Sequence, residues 1–379
     1  CHSVIGKLYA TVLNKKLSDY LEDKGKLANA QNGFRSRGKR SCQDHLYTLT
    51  ETLYNRKEEG KDTYGFFLDF SKAFDKCNHK CLFYKLKEMG VDGLLLKAIQ
   101  RYYKNMSAVA AVNGIFSKEF DIKVGTAQGC PLSPTLFDVY INDLVEKLSN
   151  SNLACTEVKC MAYADDILVL ADDPVKLQGL IKICEKWVGK WRMKTNVKKS
   201  ATMKWPARVQ SEPCPTLKFG DRDLPVVEEY KYLGILIDKK LKFDKHFLKK
   251  KASANRSLGR VSKFLRDPQV PRKMKIEIIN ALVLQGPGYG IQFWGNHQQE
   301  EKIEEILKDS AKTLAGVKYK IRASPEAARA IAGLKPMAIR MKEQAKKQLD
   351  VIAALDDTRL SKITWNNDSR EDSIKARWS

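Results

Sequence analysis

The spacing of apolar residues predicts helices in the first sixty residues of the chain. In one stretch the apolar side chains recur every three or four positions, at Val4, Leu8, Val12, Leu13 and Leu17. This spacing places them on one face of a helix, as expected where a helix packs on a core. A second helix is predicted from Ser41 to near Gly60, with a leucine-rich face of its own.

Shorter apolar runs in the middle of the chain predict strands. Residues 64–70 form an aromatic and apolar run that is typical of a buried strand. Residues 160–171 contain two such runs, separated in the middle by Asp165 and Asp166. This pattern predicts a hairpin with two carboxylates at its tip.

Two further hairpins and several helices are predicted from turn and cap residues. The Asn113-Gly114 dipeptide favours a tight turn between short strands, and Gly234 interrupts a strand-like run at residues 230–238. We expect Ser133 to cap a helix that has Pro134 at its first position. The apolar face of this helix is predicted to hold Leu136, Phe137, Tyr140, Ile141, Leu144 and Leu148.

Two further stretches of the chain are predicted to be helical. One is predicted to begin at Ser71, directly after the strand that ends near Asp69. Residues 240–379 are rich in lysine and read as mostly helical.

Composition favours a chain of several subdomains with a polyanionic partner. The 379 residues exceed the size of one typical core, and a hydrophobic content of 43% permits well-packed interiors. The formal net charge of +23 indicates nucleic acid as the simplest partner, with an anionic membrane surface as the alternative. No apolar run reaches the length of a transmembrane helix.

The cysteines and the first residue indicate where the protein is located and whether the chain has been processed. Nine cysteines, an odd number without paired C-x-x-C clusters, indicate reduced thiols in an intracellular protein. No signal peptide is visible and the chain begins at Cys1, so we expect a mature fragment.

Candidate chemistry centres on aspartates at strand ends. Adjacent carboxylates such as Asp165 and Asp166 repel each other unless a cation neutralises them, and Mg²⁺ prefers such oxygen ligands. Asp69 ends a predicted buried strand and so lies at an open edge of a sheet. The alternatives are an ordinary polar turn for the pair and a helix cap for Asp69. For Asp75 a surface charge is the simpler interpretation.

Two loops are candidates for nucleotide contacts. Residues 31–41 combine two glycines with four cations, which suits phosphate binding, although a solvated basic loop is the alternative. The loop before Ser133 contains Gln128 and Gly129 and can lie close to a nucleotide. Many helices begin with such a loop, so this signal is weak by itself.

Taken in order, these stretches resemble reverse transcriptases, and most closely those of non-LTR (LINE-type) retrotransposons. The resemblance covers nearly the whole chain. Its motifs are QNGFRSRGKRS (31–41), FLDFSKAFDKC (67–77), GTAQGCPLSPTLFDVYINDL (125–144), YADD (163–166), NVKKS (196–200) and YLGILID (232–238), with a thumb-like pattern at 289–295. These elements usually have Phe where this chain has Tyr163, which puts the subfamily in question.

The resemblance implies an α+β fold, namely a right-hand polymerase with fingers, a palm of antiparallel sheet packed on helices, and a helical thumb. The chain is expected to divide into 1–60 (N-terminal fingers), 61–84 (palm with the first aspartate), 85–122 (fingers and palm insertion), 123–238 (palm) and 239–379 (thumb and C-terminal extension).

The resemblance also implies the catalytic site. Asp69 and Asp165 are expected to bind two Mg²⁺ ions, replaceable by Mn²⁺, with Asp166 assisting and the carbonyl of Phe70 completing one shell. Lys199 is the expected general acid for the leaving pyrophosphate.

Further roles follow from the same resemblance. Residues expected to contact the incoming dNTP are Arg35, Arg37, Arg40, Phe74, Gln128 and Gly129. Among them, Phe74 matches a steric gate that excludes ribonucleotides, with a core aromatic as the alternative. The expected primer grip comprises Tyr232, Leu233 and Gly234.

The implied function is RNA-directed DNA polymerisation, with an RNA template, a DNA primer or target and dNTPs as partners and no membrane. Action on genomic DNA would place the protein in the nucleus, with the cytoplasm as the alternative. Two other functions stay open at this point: a catalytically idle RNA-binding scaffold, and a polymerase that copies DNA or makes RNA.

Overall fold

A computed structural model describes residues 3–35, 40–104, 106–155, 158–208, 211–294, 297–314, 330, 333–367 and 373. The chain divides into two compact units. The first comprises Cys1–Glu228 and Leu355–Thr364, and the second comprises Glu229–Ala354 and Trp365–Ser379. None of the helices in the described part has the length and apolar character that a membrane span requires.

The first unit mixes helices with short and long strands. Its helices from the N-terminal segment are α1 (Val4–Asp23), α2 (Cys42–Glu58), α3 (His79–Glu88), α4 (Gly93–Lys104), α5 (Ser133–Ser149) and α6 (Pro174–Trp191). Its strands are β1 (Thr63–Leu68), β2 (Ser107–Ala108), β3 (Ala111–Val112), β4 (Ile115–Phe116), β5 (Phe120–Asp121), β6 (Cys160–Tyr163), β7 (Asp166–Ala171), β8 (Ala201–Trp205), β9 (Lys218–Phe219) and β10 (Arg222–Asp223). The predicted α+β class is confirmed.

An antiparallel sheet in the order β6-β7-β1-β8 forms the centre of this unit. All six residues of β1 are buried, as their continuous apolar run predicted. In the register, Leu68 of β1 pairs with Ile167 of β7, and Phe67 pairs with Ala201 of β8. The end of β1 therefore meets the start of β7 at one edge of the sheet.

Helix α5 fills the core beneath this sheet. The six apolar residues predicted for its face are all fully buried, so the predicted amphipathic pattern is confirmed. The helix begins one residue earlier than predicted, since Leu132 occupies the cap position and Ser133 is the first helical residue. The Ser133 hydroxyl instead donates to the carbonyl of Ala127 at 2.7 Å, which ties the helix to the loop before it.

A buried lysine joins three helices of this core. Lys85 on α3 donates to the carbonyl of Tyr140 and to the carboxylate of Asp143 on α5. Its ammonium also lies 4.8 Å from the ring centroid of Trp187 and 3.9 Å from that of Trp191, both on α6. Burial lowers the pKa of Lys85 to about 8, and the neighbouring Asp143 opposes this shift.

The helix predicted to begin at Ser71 is not formed. The Ser71 N–H donates to the carbonyl of Lys194 at 2.7 Å, and Lys72 adopts a left-handed conformation with φ of 51°. A single 3₁₀ turn, Phe74–Lys76, follows. Helix α3 begins later because the Asn78 side chain accepts hydrogen bonds from two N–H groups of its first turn.

The predicted Asn113-Gly114 hairpin is confirmed. Strands β3 and β4 pair with Val112 opposite Ile115, and both turn residues have positive φ, 50° and 82°. This is the backbone that favours Asn-Gly in a two-residue turn.

A short C-terminal segment, 355–364, completes the first unit. Arg359 donates to the carboxylate of Asp44 on α2, and both side chains are buried. The Asn29 amide donates to the carbonyl of Thr358 at 2.7 Å, and Leu360 packs on the core. The sequence did not predict this contact, because its partners are 315 positions apart (359 − 44).

The second unit is mainly helical, as predicted for the lysine-rich part of the chain. Its elements are β11 (Glu229–Tyr232), β12 (Ile235–Asp238), α7 (Asp244–Arg266), α8 (Arg272–Ile278), a π-helical segment (Ile279–Leu284), α9 (Gln285–Gly288), α10 (Ile291–Trp294), α11 (His297–Leu314) and α12 (Met337–Ala353). A last helix, α13 (Leu360–Asn367), begins in the first unit and ends in the second. Strands β11 and β12 pair as the predicted hairpin around Gly234.

Candidate catalytic site

Three aspartates meet at the edge of the central sheet where β1 ends and β7 begins. Asp69 follows Leu68, which pairs with Ile167, and Asp166 is the first residue of β7. Asp166 in turn pairs with Tyr163 of β6, so Ala164 and Asp165 form a two-residue turn. The antiparallel register thus brings together carboxylates that are 96 positions apart (165 − 69).

The electrostatics of the three carboxylates agree with this proximity. Burial and, to a smaller extent, the charges of Asp165 and Asp69 together raise the pKa of Asp166 to about 6. Burial also raises the pKa of Asp165, with an added contribution from Asp69. The site therefore concentrates negative charge that the nearby protein only partly neutralises.

These residues fit a magnesium site in which other ligands complete the coordination shell of the ion. Across the described ranges, no three His, Cys, Asp or Glu side chains are grouped closely enough to hold a metal alone. Mg²⁺ is usually bound through one or two carboxylates, with water and substrate phosphates in its remaining positions. Carboxylates that repel one another at a partly exposed edge suit this kind of open site. Their role as metal ligands stays a prediction.

The segment 194–200 fixes the backbone around Asp69. The N–H of Asn196 donates to the carbonyl of Asp69 at 2.8 Å, and the Asp69 N–H donates to the Ser200 hydroxyl at 3.0 Å. Phe70 forms a β-bridge with Thr195 next to these contacts. The NVKKS motif therefore supports the first aspartate, a role that the sequence reading missed. Its small polar residues after a helix were the available signal.

Lys199 lies within electrostatic reach of the same aspartate. Its side chain is exposed, and its positive charge lowers the pKa of Asp69, as does a hydrogen bond from the Asn196 side chain. Burial is the larger influence, so the pKa of Asp69 is raised overall. The structure thus brings Lys199 to the site, and its action as general acid stays a prediction.

One glutamine side chain holds the turn that carries Asp165. The Gln31 side-chain oxygen accepts hydrogen bonds from the N–H of Ala164 at 2.9 Å and of Gly33 at 2.7 Å. Its amide nitrogen donates to the carbonyl of Ala164 at 3.3 Å. Ala164 has a left-handed backbone with φ of 54°, which is unfavourable for a residue with a side chain. Gln31 therefore stabilises a strained turn directly beside Asp165.

The backbone around Gln31 also packs on the hairpin. The Asn32 N–H donates to the carbonyl of Ala162 at 2.8 Å, and the Ala162 N–H donates to the carbonyl of Ala30 at 2.9 Å. A Cβ at Gly33 would lie 2.3 Å from the nitrogen of Ala164, so only glycine fits there. The start of the predicted fingers loop is thus built against the aspartate turn, which the sequence reading did not predict.

Two of the three predicted triphosphate arginines already have protein partners. The Arg35 guanidinium pairs with the Glu22 carboxylate through two hydrogen bonds, at 2.7 and 2.5 Å. Arg40 donates to Asn29 and to the side chain of Asn32 at 2.9 Å, and burial lowers its pKa to about 9. Arg37 lies outside the described residues. The geometry favours a packing role for Arg35 and Arg40, and the triphosphate assignment stays a prediction.

Phe74, the predicted steric gate, stacks on the core. Its ring lies 4.4 Å from that of Phe137, and it is only partly buried. The ring of Phe34, half exposed, lies 6.4 Å from Phe74 and 6.5 Å from Tyr163. Phe34 therefore joins the predicted gate to the YADD motif, and the sequence reading missed it. An aromatic residue beside a glycine in a polar loop was the available signal.

The loop with Gln128 and Gly129 lies against the segment after β1. The Thr126 N–H donates to the carbonyl of Phe74 at 2.8 Å, and the exposed Gln128 side chain donates to the Asp75 carboxylate at 3.3 Å. Gly129 is exposed, with φ of 72° and open space around it. Both residues are therefore near Phe74 and accessible, and their nucleotide contacts stay a prediction.

The predicted primer grip is the turn of the β11–β12 hairpin in the second unit. Leu233 and Gly234 have φ values of 44° and 84°, and Tyr232 is buried. The Tyr289 hydroxyl donates to the carbonyl of Leu233 at 3.0 Å, and a Cβ at Gly234 would lie 3.2 Å from the Tyr289 ring. The thumb-like motif thus supports this turn from within the same unit.

Comparison with known proteins identifies relatives. Residues 1–237 match the family described as "Reverse transcriptase (RNA-dependent DNA polymerase)". The RNA-directed DNA polymerase from mobile element jockey of Drosophila funebris is 25% identical over 298 residues, covering 77% of this chain and 32% of the relative. Its counterpart from Drosophila melanogaster is 24% identical over 328 residues, covering 84% and 35%. The LINE-type resemblance is confirmed.

The matches differ in how much of each relative they cover. This chain spans about a third of the length of the curated relatives above. Among solved structures, apo telomerase from Candida tropicalis superposes with a TM-score of 0.46 and 12% identity, over 94% of this chain and 61% of that one.

Proposed function

Because this chain belongs to the reverse transcriptase family, we propose that it is an RNA-directed DNA polymerase that extends a primer 3′-hydroxyl with dNTPs on an RNA template. The right-hand polymerase fold follows from the same membership. One observation carries the proposal: Asp69, Asp165 and Asp166 meet at one edge of the palm-like sheet, where the charge of Asp69 contributes to the raised pKa of both other carboxyl groups. We further propose an origin in a retrotransposon, with action in the nucleus.

In this proposal, Asp69 and Asp165 would hold two divalent ions, and Asp166 and the carbonyl of Phe70 would support them. Mg²⁺, or Mn²⁺ in its place, would neutralise the triphosphate and lower the pKa of the primer hydroxyl. The contribution of the chain is mainly position and charge, as in other phosphoryl transfers. Gln31 and the 194–200 segment keep the two strand ends in register.

The remaining roles concern the leaving group and the nucleotide. Lys199 donates a proton to the departing pyrophosphate, which its proximity to Asp69 supports. The partly buried ring of Phe74 blocks a 2′-hydroxyl, while Gln128 and Gly129 line the incoming nucleotide. Tyr232, Leu233 and Gly234 hold the primer end.

Primer extension tests the proposal. With Mg²⁺ on poly(rA)/oligo(dT), the protein should incorporate dTTP and not UTP. Asp165→Asn should abolish extension, because it removes a charge that the metal site requires, whereas Asp221→Asn at an exposed position should retain it. Extension by Asp165→Asn at the wild-type rate would refute the assignment. RNA binding without extension by the wild type would favour an idle scaffold.

A further inference from the structure

A basic cavity lies on the first unit outside the catalytic carboxylates. It has a volume of 460 Å³ and opens between α3, α4 and residues 121–123. Its cations, all exposed, are Lys80, Lys97, Arg101, Lys104 and Lys123. Among the described residues of its lining, Asp121 is the single carboxylate, so positive charge dominates the cavity.

The cations are arranged as a stripe. Lys97, Arg101 and Lys104 recur at helical spacing on one face of α4 and extend over about 10 Å. Lys80 and Lys123 contribute charge from the two other walls. A single small anion needs converging donors, whereas an extended line of cations suits successive phosphates of a strand.

The walls and floor of the cavity are fixed by contacts within the protein. The Ile122 N–H donates to the carbonyl of Met106 at 2.8 Å, which anchors one wall. The floor contains His79 and Tyr103, whose rings meet edge to face at 4.9 Å. The half-buried Phe83 adds a ring 6.3 Å from Tyr103 and gives the cavity an aromatic surface.

The cavity adjoins the loop that is expected to contact the nucleotide. His79 Nε2 lies 2.7 Å from the carbonyl of Gly125, and Asn78 forms a β-bridge with Val124. Gln128 and Gly129 follow within the same loop. A strand bound in the cavity would therefore continue towards the catalytic edge of this unit.

We propose that this cavity binds single-stranded RNA, with phosphates on the α4 stripe and a base against Phe83. Cations that follow a backbone, combined with aromatic faces for stacking, are the features by which proteins bind single strands. The cavity volume of 460 Å³ is large enough for one unstacked nucleotide. This inference rests on the RNA-binding part of the proposed function.

Equilibrium binding tests the proposal without any catalysis. The probe is a fluorescein-labelled single-stranded RNA of about 16 nucleotides, measured by anisotropy in EDTA at several salt concentrations. Each lost phosphate contact lowers the slope of log K against log salt by about 0.7. The triple variant K97Q/R101Q/K104Q should therefore lose about 2 from the slope and bind about 100-fold more weakly at 0.1 M salt.

A matched variant separates a local site from the general positive charge. K15Q/K182Q/K186Q removes the same charge from exposed positions outside the cavity and should change the slope far less. An equal loss in both variants, or none in the cavity variant, overturns the proposal. Equal weakening of an RNA–DNA hybrid would assign the cavity to duplex, and full competition by inorganic tripolyphosphate would assign it to a free anion. Both of these results also contradict the proposal.

A second variant keeps the test valid if the triple variant fails to fold. Phe83→Leu retains an apolar side chain and should weaken RNA binding several-fold by removing a stacking surface. Crosslinking of 4-thiouridine RNA should map to the 79–104 peptide region, and crosslinks elsewhere alone would contradict the site. The two proposals can fail separately. If the protein is not a polymerase, the wild type will show no primer extension, but the differences in RNA binding between the variants will remain.

Discussion

At the scale of single residues, the candidate site depends on side chains that never contact the reacting atoms. Gln31 is 1% exposed and uses its amide to hold both backbone polar groups of Ala164. The left-handed turn at Ala164 then presents Asp165. A position defined in this way tolerates little change, because small displacements of reacting groups strongly reduce rates.

Replacing Gln31 should therefore reduce catalysis more than binding. We expect Gln31→Leu to lower kcat by about 100-fold, with a smaller change in KM and a higher Mg²⁺ requirement. Steady-state extension at several Mg²⁺ concentrations measures this. Gln178→Leu is the matched control, since Gln178 also makes two backbone hydrogen bonds, to Lys218. An equal loss of kcat in both variants would mean that Gln31 is merely structural.

The gate prediction belongs to the same scale. Phe74→Val should raise ribonucleotide incorporation by at least tenfold relative to dNTPs, because the smaller side chain leaves room for a 2′-hydroxyl; a shift of this size corresponds to about 1.4 kcal/mol. Competition between UTP and dTTP in primer extension measures the ratio. Phe219→Val, whose ring packs near Phe66, serves as the control. If the sugar selectivity of Phe74→Val is unchanged, Phe74 is not a steric gate and its role is to stack on Phe137.

At the scale of elements, hydrogen bonds between distant segments set the geometry at strand ends. The 194–200 segment fixes Asp69, residues 30–33 fix the aspartate hairpin, and Tyr289 fixes the turn of the β11–β12 hairpin. Each supporting segment is irregular where it makes the contact, so no periodic pattern marks it. The helices and strands can be predicted from the sequence pattern, whereas these hydrogen bonds between distant segments cannot.

The Tyr289 contact gives a testable consequence for primer handling. Tyr289→Phe removes the hydrogen bond to Leu233, worth about 1 kcal/mol, while it keeps the ring against Gly234. We expect a several-fold rise in the dissociation constant for a primer–template, measured in EDTA. Tyr20→Phe removes a similar bond, to Gly90, and should leave primer binding unchanged. Equal affinity in both variants would contradict the primer-grip assignment.

At the scale of the whole molecule, stability depends on buried groups that no local motif reveals. His45 is fully buried, and burial lowers its pKa from 6.5 to about 3. Below pH 6.5 the unfolded chain therefore takes up a proton that the folded chain does not. Stability is complete above pH 6.5 and falls as the pH decreases towards 3.

The expected effect is visible in acid unfolding. The free energy of unfolding should fall by up to about 1.4 kcal/mol per pH unit below 6.5, and His45→Gln should have a shallower slope over this range. Denaturant titrations at several pH values measure the slope. His246→Gln should also make the slope shallower, but only between pH 6.5 and about 4, because burial lowers the pKa of this histidine to about 4. A wild-type slope in His45→Gln would show that other groups dominate.

Much of the architecture could be predicted from the sequence, and the reasons are specific. The continuous apolar run of β1, the buried face of α5 and the Asn113-Gly114 turn each follow from local periodicity or turn chemistry. The meeting of Asp69 with Asp165 came from the family resemblance, because register between strands is not written in local pattern. The absent helix at Ser71 and the partners of Arg35 depend on long-range contacts that the sequence does not encode locally.

The return of residues 355–364 to the first unit has a practical consequence for protein production. A chain that ends at residue 228 lacks Arg359, which is the buried ion-pair partner of the Asp44 carboxylate. Loss of this ion pair, of the Asn29–Thr358 hydrogen bond and of the packing of Leu360 removes stabilising contacts from the first unit. A shortened gene that stops at the apparent border should therefore yield poorly soluble material, and adding the C-terminal peptide in trans is the rational remedy.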